Sequence, residues 1–465
     1  MGAPELTSTW SRSFFDRLLA VRLLPGQAVA LAGLSLMLAG TGLLMLPFAT
    51  APGVKPRFLD ALFTAASAVS LAGLTVLDTS KDFSLFGQIV IMLLIQLGGL
   101  GYSVAATLLL LALRQRIGVR GQLRMAEALS AIDRNDLVRL VKTIVTITFV
   151  VEGIGALLLA ARFAMDMTPG RALYAGLFHS VSAFNNAGFS LFADSLAGYR
   201  SDPVVVPAIT VLIVLGGLGF LVFRDVVDKV KGRRFRLQTH TKLVLVVSFL
   251  LLAVGMAAIW TLEWNNPATL ATLSTGDQAL VAYFHSVAAR TAGFNTIDLN
   301  GMRDATLYFM ILLMAIGGSP GSTAGGIKTT TVGIVCLSTW AVLRQKADVE
   351  LFHRRVPNDL VVRATCLAIL AMGTITFLTL ILAYTEQRSF LALMFEVTSA
   401  IGTAGLSLGD GGVRSLSALF TDTGKILIIL SMVLGRFGPL LIGLFAIRTP
   451  AEMRYRFPES KVVIG

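Results

Sequence analysis

Four short segments of the chain read alike: SAVSLAGL at Ser67–Leu74, AFNNAGF at Ala183–Phe189, AARTAGF at Ala288–Phe294 and AIGTAGL at Ala400–Leu406. Each places small residues before an Ala-Gly pair and a bulky apolar residue after it. Their glycines, Gly73, Gly188, Gly293 and Gly405, lie 115, 105 and 112 residues apart. A single Ala-Gly in a chain with 44 glycines says little. Four at near-constant spacing in matching context define an internal repeat.

The repeat extends to both sides. A half-length apolar stretch precedes each turn: Asp60–Val69, Ala172–Phe184, Gln278–Ala289 and Phe390–Ile401. Such stretches are too short to cross a bilayer but suit a re-entrant helix. Full-length apolar spans flank them, clearest at Ala28–Leu46, Ile89–Leu113, Leu243–Trp260 and Ile426–Ile447. The span after each turn carries a second signature: LGGLG (Leu97–Gly101), LGGLG (Leu215–Gly219), IGGSPG (Ile316–Gly321) and LGRFG (Leu434–Gly438). The unit is therefore span, half-helix, glycine turn, span. Two crossings per unit keep successive copies in the same orientation, unlike the inverted repeats of many secondary transporters.

The expected fold is an all-α polytopic membrane protein, with four span–pore-helix–span repeats in pseudo-fourfold symmetry around one pore. Its expected divisions are a lead-in at 1–25, repeats at 26–136, 137–240, 241–360 and 361–450, and a tail at 451–465. Composition excludes a soluble alternative. Only 14% of residues are charged and the mean hydropathy is +0.76, against about a quarter charged in soluble chains.

The formal charge of +12 raises the question of nucleic acid, but the positive-inside bias of membrane loops accounts for it. The connections between repeats and the two termini hold 24 Lys/Arg, and the opposite-side intervals hold 10. That excess predicts both termini in the cytoplasm, in a plasma (inner) membrane, with lipid and no nucleic acid as partner. Met1–Gln27 lacks a cleavable signal pattern, and Trp10, Phe14 and Arg17 within it are read either as part of an interfacial helix or as a cytoplasmic lead-in of no special role. Cys336 and Cys366 form neither a disulfide framework nor a metal motif.

Irregular backbone at membrane depth must be buried in protein or line a water-filled path. Glycine allows positive φ and can turn carbonyl oxygens toward an axis, where a ring of them replaces the hydration shell of a monovalent cation. Half-helices ending at the turns add their negative dipole ends. The predicted ion site is therefore built from Leu71, Ala72 and Gly73; Asn186, Ala187 and Gly188; Thr291, Ala292 and Gly293; and Thr403, Ala404 and Gly405. No acid lies within a turn, which disfavours a divalent cage. Asp78, Asp194, Asp298 and Asp410 follow the glycines and are read either as a cation-enriching outer mouth or as ordinary loop acids. Gly98, Gly99, Gly216 and Gly217 are read as helix-packing residues.

Two features break the repeat. Arg436 stands where the other repeats have Gly99, Gly217 and Gly318, and an intramembrane charge marks function by default. It is read as pore-facing, with pairing to Glu152 as the alternative. The stretch Gly317–Thr331 holds Gly317, Gly318, Gly321, Gly325, Gly326 and a proline, so a continuous helix is improbable there. It is read as a flexible gating loop, with a static hinge between two half-helices as the alternative, and with Lys328 holding the loop or acidic neighbours. A phosphate-binding loop is excluded, because Ile327 separates Gly326 from Lys328 and no strand precedes it. His179 and His285 are read as structural. No catalytic constellation stands out, so the chain is not expected to be an enzyme and needs no cofactor of its own.

The repeat, its turns, GGSPGSTAGGIKTTT (Gly317–Thr331) and Arg436 resemble the Trk/Ktr/HKT superfamily of potassium transporters over essentially the whole chain from Pro25. The start of the first repeat and the ending FPESKVVIG look more like KtrB membrane subunits than TrkH. The resemblance implies K⁺ as substrate ion, Na⁺ as possible activator, a homodimer, and a cytoplasmic ring of nucleotide-binding regulatory subunits. The first turn departs from the family pattern, having Ser70-Leu71-Ala72 where a hydroxyl residue often adjoins the glycine. The competing reading is a secondary transporter of a small organic anion, with Arg436 as substrate counter-ion.

Overall fold

The structure is a computed structural model that describes residues 25–114, 134–232, 235–409, 411 and 413–445. The lead-in with its interfacial-helix expectation, the tail, Asp410 and most of the first inter-repeat connection lie outside the described residues. Fourteen α-helices make up the described chain, and they fall into four sets.

Repeat 1 comprises α1 (Pro25–Leu44), α2 (Phe58–Ser70) and α3 (Leu85–Arg114). Repeat 2 comprises α4 (Arg134–Phe163), α5 (Pro169–Phe184) and a second span in two pieces, α6 (Val205–Leu218) and α7 (Phe220–Val230). Repeat 3 comprises α8 (Thr239–Glu263), α9 (Thr275–Ala288) and another split second span, α10 (Asp304–Ala315) and α11 (Thr329–Leu343). Repeat 4 comprises α12 (Asn358–Glu386), α13 (Phe390–Gly402) and α14 (Asp422–Phe445). A two-residue-stranded hairpin, β1 (Glu350–Leu351) against β2 (Arg354–Arg355), joins repeats 3 and 4. With two isolated bridges, Thr50 to Phe83 and Ile316 to Ile327, it is the departure from an all-α description among the described residues.

Four described helices, α3, α4, α8 and α12, are by themselves long and apolar enough to cross a membrane. The pair α6 and α7 qualifies only as a broken span, bent by 99° at Gly219. A continuous second span was expected in repeat 2. Gly219 breaks it instead, with φ +89° and ψ 143°; a Cβ there would lie 2.6 Å from the Pro320 carbonyl oxygen of the repeat-3 loop. The break makes room for that loop.

The short helices α2, α5, α9 and α13 form the centre. In α2 the residues Ala65, Ala66, Ser67 and Ala68 are fully buried, and α9 and α13 bury their C-terminal halves likewise. Small side chains let these helices approach their neighbours closely, which is how helices associate where lipid supplies no hydrophobic drive. The second span of each repeat packs against the short helix of the next: α3 on α5, α6 on α9, α10 on α13, and α14 back on α2. This cycle closes the ring. Long α8 and α12 lie outside, with apolar side chains such as Phe249, Ile369 and Phe377 exposed, as befits a lipid-facing surface.

Packing explains most of the paired glycines. A Cβ on Gly98 would strike the backbone of Val69, one on Gly99 the Asn185 side chain, and one on Gly216 the Phe184 carbonyl. Gly217 is different: its nearest neighbour would be 3.6 Å away. Its role lies in its carbonyl, which accepts from Ser319 N at 2.9 Å.

Candidate ion-conduction site

The helices α2, α5, α9 and α13 end at residues 70, 184, 288 and 402, immediately before the four turns. Every turn then adopts one conformation. Leu71, Asn186, Thr291 and Thr403 have φ of 60°, 57°, 83° and 52°, and Gly73, Gly188, Gly293 and Gly405 have φ of 76°, 72°, 74° and 80°. The alanine between keeps negative φ. Positive φ at the glycines follows from their lack of Cβ. At the other four positions it costs about 1–2 kcal/mol each for an L-residue, so the surrounding structure must impose it. The alanine amides tie the turns back to their helices: Ala72 N to Ser67 O at 2.9 Å, Ala187 N to Ser182 O at 2.8 Å, Ala292 N to Ala288 O at 3.0 Å and Ala404 N to Ser399 O at 2.8 Å.

The turns meet on an axis. A Cβ on each glycine would approach the alanine carbonyl oxygen of the next repeat: Gly73 to Ala187 O at 2.8 Å, Gly188 to Ala292 O at 2.9 Å, Gly293 to Ala404 O at 3.2 Å and Gly405 to Ala72 O at 3.0 Å. The same fourfold cycle appears in the backbone that the short helices showed in their packing. Among the described residues no hydrogen bond ends on these four oxygens. Buried carbonyls are almost always paired, so four unpaired ones converging inside the bundle have the chemistry to take a cation or water. On one side of the ring lies a cavity of about 30 Å³, lined by residues such as Thr75, Ser190, Asn295 and Ser407 that follow the glycines. It has room for a water-sized species.

Residues of the short helices hold the segments leaving three of the turns. His179 Nε2 lies 3.0 Å from Ser190 Oγ, His285 Nε2 lies 3.2 Å from Thr296 Oγ1, and Glu396 accepts from Ser407 Oγ at 2.5 Å. All three are fully buried. The two histidines are structural, as expected; Glu396 has the corresponding place in α13. Repeat 1 uses another device, in which Thr75 N donates to Ser415 Oγ at 2.8 Å. The acids after the turns act locally: Asp78 accepts from Ser80 N at 2.8 Å, Asp194 from Gly198 N at 3.1 Å and Asp298 from Asn300 N at 2.9 Å. None of these three lines the cavity, so they fit the ordinary-loop reading.

On the opposite side of the ring, the stretch between α10 and α11 is a non-helical loop, as expected. It is held firmly. Gly317 N donates to Ile327 O at 3.0 Å, Ile327 N to Ala315 O at 3.1 Å, and Ser319 N and Thr323 N to the carbonyls of Gly217 and Gly216 at 2.9 and 3.2 Å. It reaches the ring itself, for Gly325 N donates to Thr403 Oγ1 at 3.0 Å and Thr323 Oγ1 to Phe184 O at 3.2 Å. Lys328 Nζ donates to the loop carbonyls of Ala324 and Gly325 at 2.7 and 3.3 Å. Holding the loop is thus its observed role; among the described residues no acidic neighbour takes part.

Arg436 is fully buried. Its guanidinium donates to Thr323 O of the loop and, at 3.3 Å, to Gly98 O of α3, and it lies 4.0 Å from the ring centre of Tyr102. Glu152 is engaged elsewhere, accepting from Gln96 Nε2 at 3.1 Å and Asn185 Nδ2 at 2.9 Å. The Arg436–Glu152 pair therefore does not form. A further cation was missed. Arg290, counted with the outer-loop charges, lies inside the bundle, its guanidinium at 3.3 Å from Ser248 O, beside a small cavity lined also by Asn186, Gly217 and Gly318.

Comparison with known proteins agrees with this architecture. The family model described as TrkH, cation transport protein, matches residues 29–456. The chain is 40% identical to Ktr system potassium uptake protein B of Bacillus subtilis, over 96% of this chain and 98% of that one. It is 34% identical to potassium/sodium uptake protein NtpJ of Enterococcus hirae, with 96% and 98% covered. The crystal structure of the potassium transporter TrkH from Vibrio parahaemolyticus superposes with a TM-score of 0.68 at 21% identity, covering 93% of this chain and 86% of that one. The matches run the length of the four repeats, and with the ring they surround, the chain belongs to the TrkH family of cation transport proteins.

Proposed function

We propose that this chain is the channel-like membrane subunit of a potassium uptake system, in which K⁺ passes through the four-turn ring as a backbone-carbonyl selectivity filter. The observation that carries this reading is the cycle of four unpaired alanine carbonyls, each against the glycine of the preceding repeat. Carbonyl rings without carboxylates favour monovalent cations, and the relatives named for potassium uptake support K⁺ among them. The C-terminal ends of α2, α5, α9 and α13 add negative potential at the ring.

The loop at Gly317–Thr331 and Arg436 act together as the gate in this proposal, because Arg436 donates to the loop directly. A loop under the ring obstructs the path. A fixed positive charge adds a barrier of about 4 kcal/mol for a cation at 4 Å and an effective dielectric near 20. The organic-anion reading is disfavoured, because the Arg436 guanidinium is fully buried and already engaged by two carbonyls. The remaining parts of the proposal rest on the resemblance and the charge bias: sodium dependence, a homodimer, a cytoplasmic nucleotide-binding ring on the basic face, and both termini in the cytoplasm.

The decisive test is ion flux in proteoliposomes measured separately for K⁺, Rb⁺ and Na⁺, alongside growth rescue of cells deficient in potassium uptake. The reading expects K⁺ flux and rescue at low external potassium. Transport of an organic anion with no cation flux would refute it.

A further inference from the structure

Two buried groups, Arg436 and Tyr102, and the half-buried Lys328 meet on the loop side of the ring without a carboxylate among them. Arg436 forms no ion pair among the described residues, and neither does Lys328, which is held by two loop carbonyls. Both approach the ring face of Tyr102, a buried residue of α3: the Arg436 guanidinium carbon at 4.0 Å from the ring centre and the Lys328 ammonium at 5.8 Å. Gly98, four residues earlier on α3, offers its carbonyl to the same guanidinium at 3.3 Å. One stripe of α3 thus presents an aromatic face and a carbonyl to both charged parts of the gate. Phe437 packs edge-on to Tyr102 at 6.5 Å and helps to fix the ring.

We propose that Tyr102 is the positioning residue of the gate, its π-face seating Arg436 and Lys328 together and so holding α14 and the loop in the obstructing arrangement. This inference rests on the gate reading above and extends it to a residue of the first repeat. The choice of an aromatic ring has a physical reason. A cation over a ring face is attracted by the ring quadrupole, more strongly when desolvated, yet the ring carries no net charge. A carboxylate at the same place would neutralise Arg436, remove the barrier, and itself bind the permeating ion. Tyr102 holds the two cations and leaves their field intact. Because it touches both, release of either from the ring loosens the other.

The test measures K⁺ flux of the purified chain in liposomes, without any cytoplasmic partner. Tyr102→Phe keeps the face and is expected to stay within about twofold of the parent, since a cation–π contact depends on the ring face rather than the hydroxyl. Tyr102→Leu removes the face and is expected to raise flux several-fold. A series of progressively fluorinated phenylalanines at 102 guards against misfolding of the leucine variant, because it drains the quadrupole at nearly constant shape. Flux should rise stepwise along it. Flat flux across the series, with Arg436→Ala raising flux, overturns the role of Tyr102 and leaves the gate standing. Unchanged flux in folded Arg436→Ala refutes the gate itself, and this inference with it.

Discussion

The ring of turns and the layer beneath it are built by opposite rules. In the ring, four segments with different side chains adopt one backbone conformation, and each glycine meets the same atom of its neighbour. In the layer beneath, four segments that begin with similar sequences do four different things. α3 runs through unbroken, α6 and α7 bend by 99°, α10 and α11 part around a loop, and α14 carries Arg436. On the proposed reading the difference follows from the tasks: a bare spherical ion needs equivalent oxygens on all sides, so a coordinating layer must repeat, whereas an obstruction needs only one object in the path, so an obstructing layer is free to diverge.

The largest expected effect lies in the ring. Gly293→Ser adds a Cβ 2.9 Å from the Gly188 Cα and 3.1 Å from the Gly405 Cα, at a φ of 74°. It should sharply reduce K⁺ over Na⁺ discrimination, and the equivalent changes at Gly73, Gly188 and Gly405 should do the same in reversal-potential measurements. Unequal effects among the four would break the symmetry of the ring. The layer beneath should answer in the other direction: Arg436→Ala, or excision of residues 320–324, should raise K⁺ flux. Loss of flux in folded protein would instead assign that layer a purely structural role.

Next come two neighbouring glycines that should behave unlike each other. Gly219→Ala places a Cβ against the Pro320 carbonyl at positive φ and should displace the loop, changing flux and lowering the thermal transition. Gly217→Ala meets only an ordinary contact, 3.6 Å from Asn186 Nδ2, and should approach the parent in both. The smallest expected effect is remote from the axis. Asp202 accepts from Val204 N and Val205 N at 2.8 and 2.9 Å and pairs with Arg162 at 2.6 Å. Its partial burial opposes the charge, but the two amides and the guanidinium outweigh it and hold the carboxyl below the ordinary aspartate range. Its stabilisation is therefore present at neutral pH and is lost as pH falls through that depressed value. Asp202→Ala, which removes the acceptor of both amides, should cost about 1 kcal/mol, as loss of a helix cap does, with flux unchanged.

The same division decides what could be read from the sequence. The turns were legible, since Ala-Gly recurs at fixed spacing and glycine is the residue that positive φ selects. The half-helices were legible to within a few residues from length and apolarity. The left-handed Leu71, Thr291 and Thr403 were not, because nothing in those residue types favours that conformation; packing of the four repeats imposes it. Gly219 as a breaking point was hidden for a related reason. LGGLG occurs in repeats 1 and 2 alike, yet only the second lies against the loop of repeat 3, a contact distant in sequence. The partner of Arg436 was sought among acids, because a charge in sequence calls for its opposite. The chain supplies two carbonyls and an aromatic face, groups every segment contains.

The four quarters of the ring also belong to one chain. A ring assembled from four identical subunits can alter its lining only four positions at a time, so every substitution arrives with fourfold dose. Here a single codon alters one quarter. Leu71 already stands where the other repeats place Asn186, Thr291 and Thr403, with the backbone unchanged. Ion preference in such a ring can drift in small, separately selectable steps, and one quarter can take on a private task while three keep the ion.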